Sequence, residues 1–135
     1  RGERIRRLPK APAKWFVLVV PPIHCATAEI YARWDRRVCS KVRTGGDGTM
    51  PSRGENDLLA PALDAHPELL AYHRAILRLG GEYGGMSGSG STFFAAFAGE
   101  AEAVGAAAEL RTAFPRSGVF VCRSTAAGHR RTESR

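Results

Sequence analysis

The segment Gly84-Gly85-Met86-Ser87-Gly88-Ser89-Gly90-Ser91-Thr92 constrains this chain more than any other. Residues Glu82 to Met86 before it and Thr92 to Ala98 after it read as short strands, so the segment reads as a hairpin loop. Glycine permits positive φ and a close approach of another backbone. Consecutive N–H groups in such a turn form a concave nest that favours anions, and the Ser and Thr hydroxyls add donors. On its residues alone the loop is either a plain turn or an anion cradle. Several familiar motifs fail here. No G-x-x-x-x-G-K-[ST] occurs, and G-x-G-x-x-G fails because Phe93 takes the last glycine position. G-x-S-x-G fails because, counted from Gly85, Ser89 stands where glycine is required.

The rest of the chain punctuates itself. Arg1 to Leu8 has a β-compatible alternation that Pro9 and Pro12 break. Trp15 to Val20 is aromatic and β-branched, and Pro21-Pro22 end it. So continuous an apolar run predicts a central strand buried on both faces. Thr27 is placed to cap a short helix over Ala28 to Trp34. Residues 36–55 are polar and Gly-rich and predict a mobile connection. Asn56 or Asp57 caps a helix over Leu58 to Leu63, and Pro67 opens another over Glu68 to Leu79, which Gly80-Gly81 stop. Glu100 to Phe114 reads as an Ala-rich helix ended by Pro115, and Gly118 to Arg123 as a last strand. Residues 125–135 read as a disordered tail. The resulting order predicts an α+β sandwich: an antiparallel sheet with helices on one face, ferredoxin-like in its last part.

A chain of 135 residues with 44% hydrophobic residues can bury one real core. Its longest apolar run, Trp15 to Pro22, is far below the roughly 20 residues of a membrane span, so no membrane is expected. The net charge of +7 lies largely in arginines near the ends and suits solvated termini or attraction of anionic small molecules. Cys25, Cys39 and Cys122 are odd in number and scattered, and the four histidines lack metal-ligand spacing. A reduced, cytoplasmic setting without a metal site built from these residues follows. The chain opens on Arg1 rather than Met, which leads us to expect residues upstream.

With these elements in order, Leu79 to Phe94 resembles the third motif of the GHMP kinases: a helix, a glycine turn, a strand, an S-G-S-G loop and a strand. Three further segments resemble the branch of that family acting on 4-diphosphocytidyl-2-C-methyl-D-erythritol. They are Arg1-Gly2-Glu3-Arg4, the P-x-x-x-x-T-x-x-x-Y pattern from Pro22 through Thr27 to Tyr31, and Asn56-Asp57-Leu58. The resemblance runs from Arg1 to about Arg123, and residues 36–55 match it poorly.

The resemblance implies a GHMP kinase C-terminal domain over residues 1–124 and ATP- and Mg²⁺-dependent phosphoryl transfer to that substrate's hydroxyl. It implies a cleft loop formed by Ser87, Gly88, Ser89, Gly90 and Ser91, with Thr27 on the substrate side. A Cβ at Gly88 or Gly90 is expected to clash or to force an unfavourable φ. The family's catalytic Asp and Lys, and its Pro- and Gly-rich phosphate loop, belong to an N-terminal half that no segment here matches. ATP and Mg²⁺ are therefore expected to act through that absent half, and no catalytic residue is assigned in this chain. Tyr31 reads chiefly as core packing and Asn56 as a cap. Other GHMP kinases, of the homoserine or mevalonate type, remain an alternative, as does a stand-alone ferredoxin-like binding module. An RNA-binding sheet is disfavoured, because the adjacent Phe93 and Phe94 must point to opposite faces. No nucleic-acid partner is expected.

Overall fold

The computed structural model describes residues 12–40 and 54–125, the side chains of 38–40 excepted. The expectations for Arg1 to Leu8, for most of the 36–55 connection and for the tail after Thr125 lie outside the described residues. Four strands form one sheet: β1 (Trp15–Val20), β2 (Tyr83–Met86), β3 (Phe93–Phe97) and β4 (Gly118–Arg123). Four helices complete the described elements: α1 (Thr27–Ser40), α2 (Leu59–Ala65), α3 (Leu69–Arg78) and α4 (Glu100–Ala113). The sheet order is β2-β3-β1-β4 and every pairing is antiparallel. This is the ferredoxin-like arrangement expected from the sequence, with β1 in the interior of the sheet.

The inward face follows from strand alternation. Val17 and Val19 of β1 and Phe93, Ala95 and Phe97 of β3 are buried, and the register sets Val17 opposite Ala95 on one side and Val121 on the other. Helix α3 packs across β2 and β3, and α4 across β1, β3 and β4. Helix α4 presents Ala103, Ala106, Ala107 and Leu110, an i, i+3, i+4, i+7 stripe, all buried. Three alanines in that stripe let the helix approach the sheet closely. Tyr72 of α3 stacks on Phe114 with ring centroids 4.1 Å apart, and its hydroxyl meets Ser117 Oγ at 3.0 Å.

Two expectations are corrected. Strand β1 is buried on one face rather than both: Val17 and Val19 are fully buried, while Phe16 and Leu18 are only partly so. The helices that contact the sheet leave the second face to aromatic packing. There Phe16, Tyr83 and Phe94 group edge-on or tilted at 6.3 to 6.4 Å, and Ala96, paired with Phe16 and Tyr83, is buried among them. Helix α1 also continues past Trp34 to Ser40, so residues 36–40 are helical rather than loop. Its Glu29–Arg33 pair at i, i+4 and its Arg37–Asp64 bridge to α2 explain how so polar a stretch holds a helix.

Candidate functional site at the glycine–serine loop

The loop Ser87–Ser91 joins β2 to β3 and is pinned from several sides. Ser87 N–H donates to Thr92 O at 2.8 Å, closing the hairpin, and Gly90 N–H donates to Ser87 O at 3.1 Å. Gly88 and Gly90 have φ of +56° and +93°. A Cβ at Gly88 would meet nothing within 4 Å. One at Gly90 would lie 3.2 Å from Met86 Sδ and 3.3 Å from Cys25 Sγ. The two glycines therefore serve different ends: Gly88 supplies a backbone conformation, and Gly90 also lets the loop settle on a buried sulfur floor. Of the two costs expected of a Cβ, a clash or an unfavourable φ, Gly88 shows only the second among the described residues.

Thr27 reaches this loop from 62 residues away, its Oγ1 standing 3.0 Å from Ser89 Oγ. The hydroxyl expected to cap α1 is thus engaged with the loop. Ser91 Oγ faces Pro21 O at 3.5 Å, a long contact that adds little. The Gly88, Ser89 and Ser91 amides have no hydrogen-bond acceptor among the described residues. This is the donor-rich surface an anionic group requires.

Asn56 joins the same assembly. Its Nδ2 donates to Met86 O and to Gly88 O, both at 2.8 Å, and its Oδ1 accepts from Leu58 N–H at 2.9 Å. The cap expected of Asn56 is corrected: α2 has Leu58 as its N-cap with no side-chain cap bond, and the Asn56 side chain closes the turn just before it. Its approach is made possible by bare backbone: a Cβ at Gly54 would overlap Gly84 O, and one at Gly85 would overlap Gly54 O. The sequence placed glycine at both points but offered no sign that they meet.

Tyr31 is half exposed rather than packed in the core. With Trp34, Asp57 and Leu58 it lines an open groove of about 210 Å³ between α1 and the start of α2. Beneath the loop, burial pushes the Cys25 thiol up from its ordinary range, and the charges of Glu68 and Glu29 add to that. No described group of three His, Cys, Asp or Glu side chains could hold a metal ion. No described helix is long and apolar enough to cross a membrane.

Sheet order and site together define the class: an α+β, ferredoxin-like domain whose β2–β3 turn carries a glycine–serine loop facing the start of a helix. Residues 48–116 match the family described as GHMP kinases C terminal, which is half of the chain. The chain belongs to the GHMP kinases, in their C-terminal domain. It is 33% identical over 131 residues to a 4-diphosphocytidyl-2-C-methyl-D-erythritol kinase of Moorella thermoacetica, covering 87% of this chain and 46% of the relative. A kinase of the same name from Heliobacterium modesticaldum is 32% identical over 135 residues, covering 82% and 43%. A crystal structure of 4-(cytidine 5'-diphospho)-2C-methyl-D-erythritol kinase superposes with a TM-score of 0.62 at 30% identity, covering 89% of this chain and 46% of that one. The chain thus spans less than half the length of these relatives.

Proposed function

We propose that this chain is the C-terminal part of an ATP-dependent kinase that phosphorylates the 2-hydroxyl of 4-diphosphocytidyl-2-C-methyl-D-erythritol, a cytoplasmic enzyme of non-mevalonate isoprenoid synthesis. Relatives of that one name match along most of the chain, which favours this substrate over those of other GHMP kinases. The observation that carries the site is the Thr27–Ser89 hydroxyl contact, which sets the start of α1 against the glycine–serine loop. In this reading Ser87, Gly88, Ser89, Gly90 and Ser91 form one wall of the phosphate and substrate cleft. The amides of Gly88, Ser89 and Ser91 favour the negative charge of a phosphoryl group. Thr27 offers its hydroxyl on the substrate side.

ATP and Mg²⁺ would supply the phosphoryl group and neutralise its charge. By the family resemblance, both would be bound mainly by the other half of the enzyme. What this chain contributes is shape, donors and exclusion of water.

The test is turnover of 4-diphosphocytidyl-2-C-methyl-D-erythritol with ATP and Mg²⁺, by this chain alone and by the chain joined to the N-terminal half of the Moorella thermoacetica relative. The fusion is expected to turn over this substrate and not homoserine or mevalonate, and the chain alone to be inactive. Turnover by the chain alone, or a fusion that prefers homoserine or mevalonate, refutes the reading.

A further inference from the structure

The Asn56 side chain makes three hydrogen bonds, and only one of them is local, in the turn before α2. Its Oδ1 accepts from Leu58 N–H, while its Nδ2 donates to the carbonyls of Met86 and Gly88, which bracket the first turn of the loop. One orientation of the amide satisfies all three bonds. The flipped group would set an oxygen against two carbonyl oxygens and an NH₂ against an N–H. The amide side chain is thus chosen for having a donor end and an acceptor end at once. Ser and Asp, which serve equally well as caps, lack that combination here.

The loop bonds have a mechanical consequence. Gly88 occupies a left-handed conformation with open space around it, so nothing in its own packing holds it there. The Asn56 Nδ2 bond to Gly88 O holds the peptide that follows this glycine, directly before Ser89, whose hydroxyl meets Thr27. Asn56 is itself delivered by the close crossing of Gly54 over Gly84 and Gly85.

We propose that Asn56 is a positioning residue of the phosphoryl-transfer site: its amide clamps the Ser87–Ser91 loop in the shape that sets Ser89 against Thr27. The catalytic part of this proposal rests on the kinase reading above, while the clamp itself does not. The discriminating variant is Asn56→Asp, which keeps the acceptor for Leu58 N–H but turns the donor into an oxygen facing two carbonyls. Asn56→Ala removes both functions.

Amide hydrogen exchange on this chain reads the clamp. Both variants are expected to lower protection of the Ser87 and Gly90 amides by about tenfold or more, the effect of losing two ordinary hydrogen bonds. Amides of α4 should keep their protection and so report an intact fold. If Asn56 only closes the turn before α2, Asn56→Asp leaves the loop amides unchanged and Asn56→Ala loosens that turn alone, and the proposal fails. Should Asn56→Asp unfold the chain, loop protection in Asn56→Ala decides the matter.

In the kinase fusion described above, Asn56→Asp should lower kcat by about tenfold to a hundredfold, as sub-ångström to ångström misplacement does, with KM for ATP changed much less. A loosened loop with unchanged kcat overturns the positioning role. A fusion inactive without any substitution counts against the kinase reading, and exchange on the chain still judges the clamp.

Discussion

Replacing Gly90 by alanine tests whether the loop is seated on its floor or merely turns above it. The added Cβ would lie 3.2 Å from Met86 Sδ and 3.3 Å from Cys25 Sγ, closer than ordinary van der Waals contact. Both neighbours are buried, at 3% and 8% exposure, so neither can swing into solvent. The φ of +93° also lies beyond the narrow left-handed region open to side-chain-bearing residues. Left-handed backbone alone costs an L-residue about 1–2 kcal/mol, and overpacking adds about 1–3 kcal/mol. Loss of unfolded-state freedom returns about 0.4–1 kcal/mol. The net expectation is a loss of about 1–5 kcal/mol for Gly90→Ala, centred on about 3 kcal/mol. At Gly88 the φ of +56° is the ordinary left-handed value and the space is open, so Gly88→Ala should cost only about 1 kcal/mol. Gly88→Asn should recover part of that, because asparagine tolerates this conformation. Urea unfolding followed by far-ultraviolet circular dichroism measures all three, read as a shift in midpoint at constant slope. Equal losses at Gly88 and Gly90 would refute the seated-loop argument.

Two further predictions concern titratable groups. Burial pushes the His73 pKa down, beside the Phe93 ring at 6.1 Å and with Nδ1 lacking any described partner. Between its folded and unfolded values the unfolded chain binds the extra proton. Stability is therefore full above the unfolded value near 6.5 and falls as the pH drops through the folded value. His73→Gln should flatten that part of the stability–pH curve, and an unchanged slope would count against it. Cys122 is exposed, whereas Cys25 is buried and its thiol pushed up, so brief N-ethylmaleimide treatment and peptide mapping should find Cys122 modified at least about tenfold faster. Equal rates would contradict the floor described beneath Gly90.

The elements were legible because their punctuation is local. The continuous apolar run closed by Pro21-Pro22, and the Pro115 stop before the last apolar run, set strand limits at Trp15–Val20 and Gly118–Arg123, as the structure has them. Antiparallel pairing and ferredoxin-like order followed from the succession of elements. What stayed hidden depends on contacts across long separations. Continuous hydrophobicity in β1 suggested burial on both faces, but a row of aromatic residues can cover its own strand face without a helix. Arg37 read as loop because its support, the Asp64 carboxylate, comes from another helix. Asn56 read as a cap because that half of its bonding is local, while its two loop bonds reach 30 and 32 residues onward. Tyr31 could not be told from a core tyrosine without knowing which side of α1 the core occupies.

The place of β1 in the sheet also dictates a schedule. It is the first described strand to be made, yet both of its partners, β3 and β4, come from the last third of the described chain. The bond from Lys14 N–H to Ser124 Oγ spans 110 residues. At ribosomal rates of about 5–20 residues per second, Trp15 to Val20 waits roughly 5–20 s before its second edge is covered. Helices α1, α2 and α3 emerge during that interval, and none of them can pair with the strand's backbone. An apolar six-residue strand with two bare edges is what chaperones bind and what aggregates when they do not. Nascent chains stalled before Gly118 should therefore be far more chaperone-dependent than chains stalled only a dozen residues later.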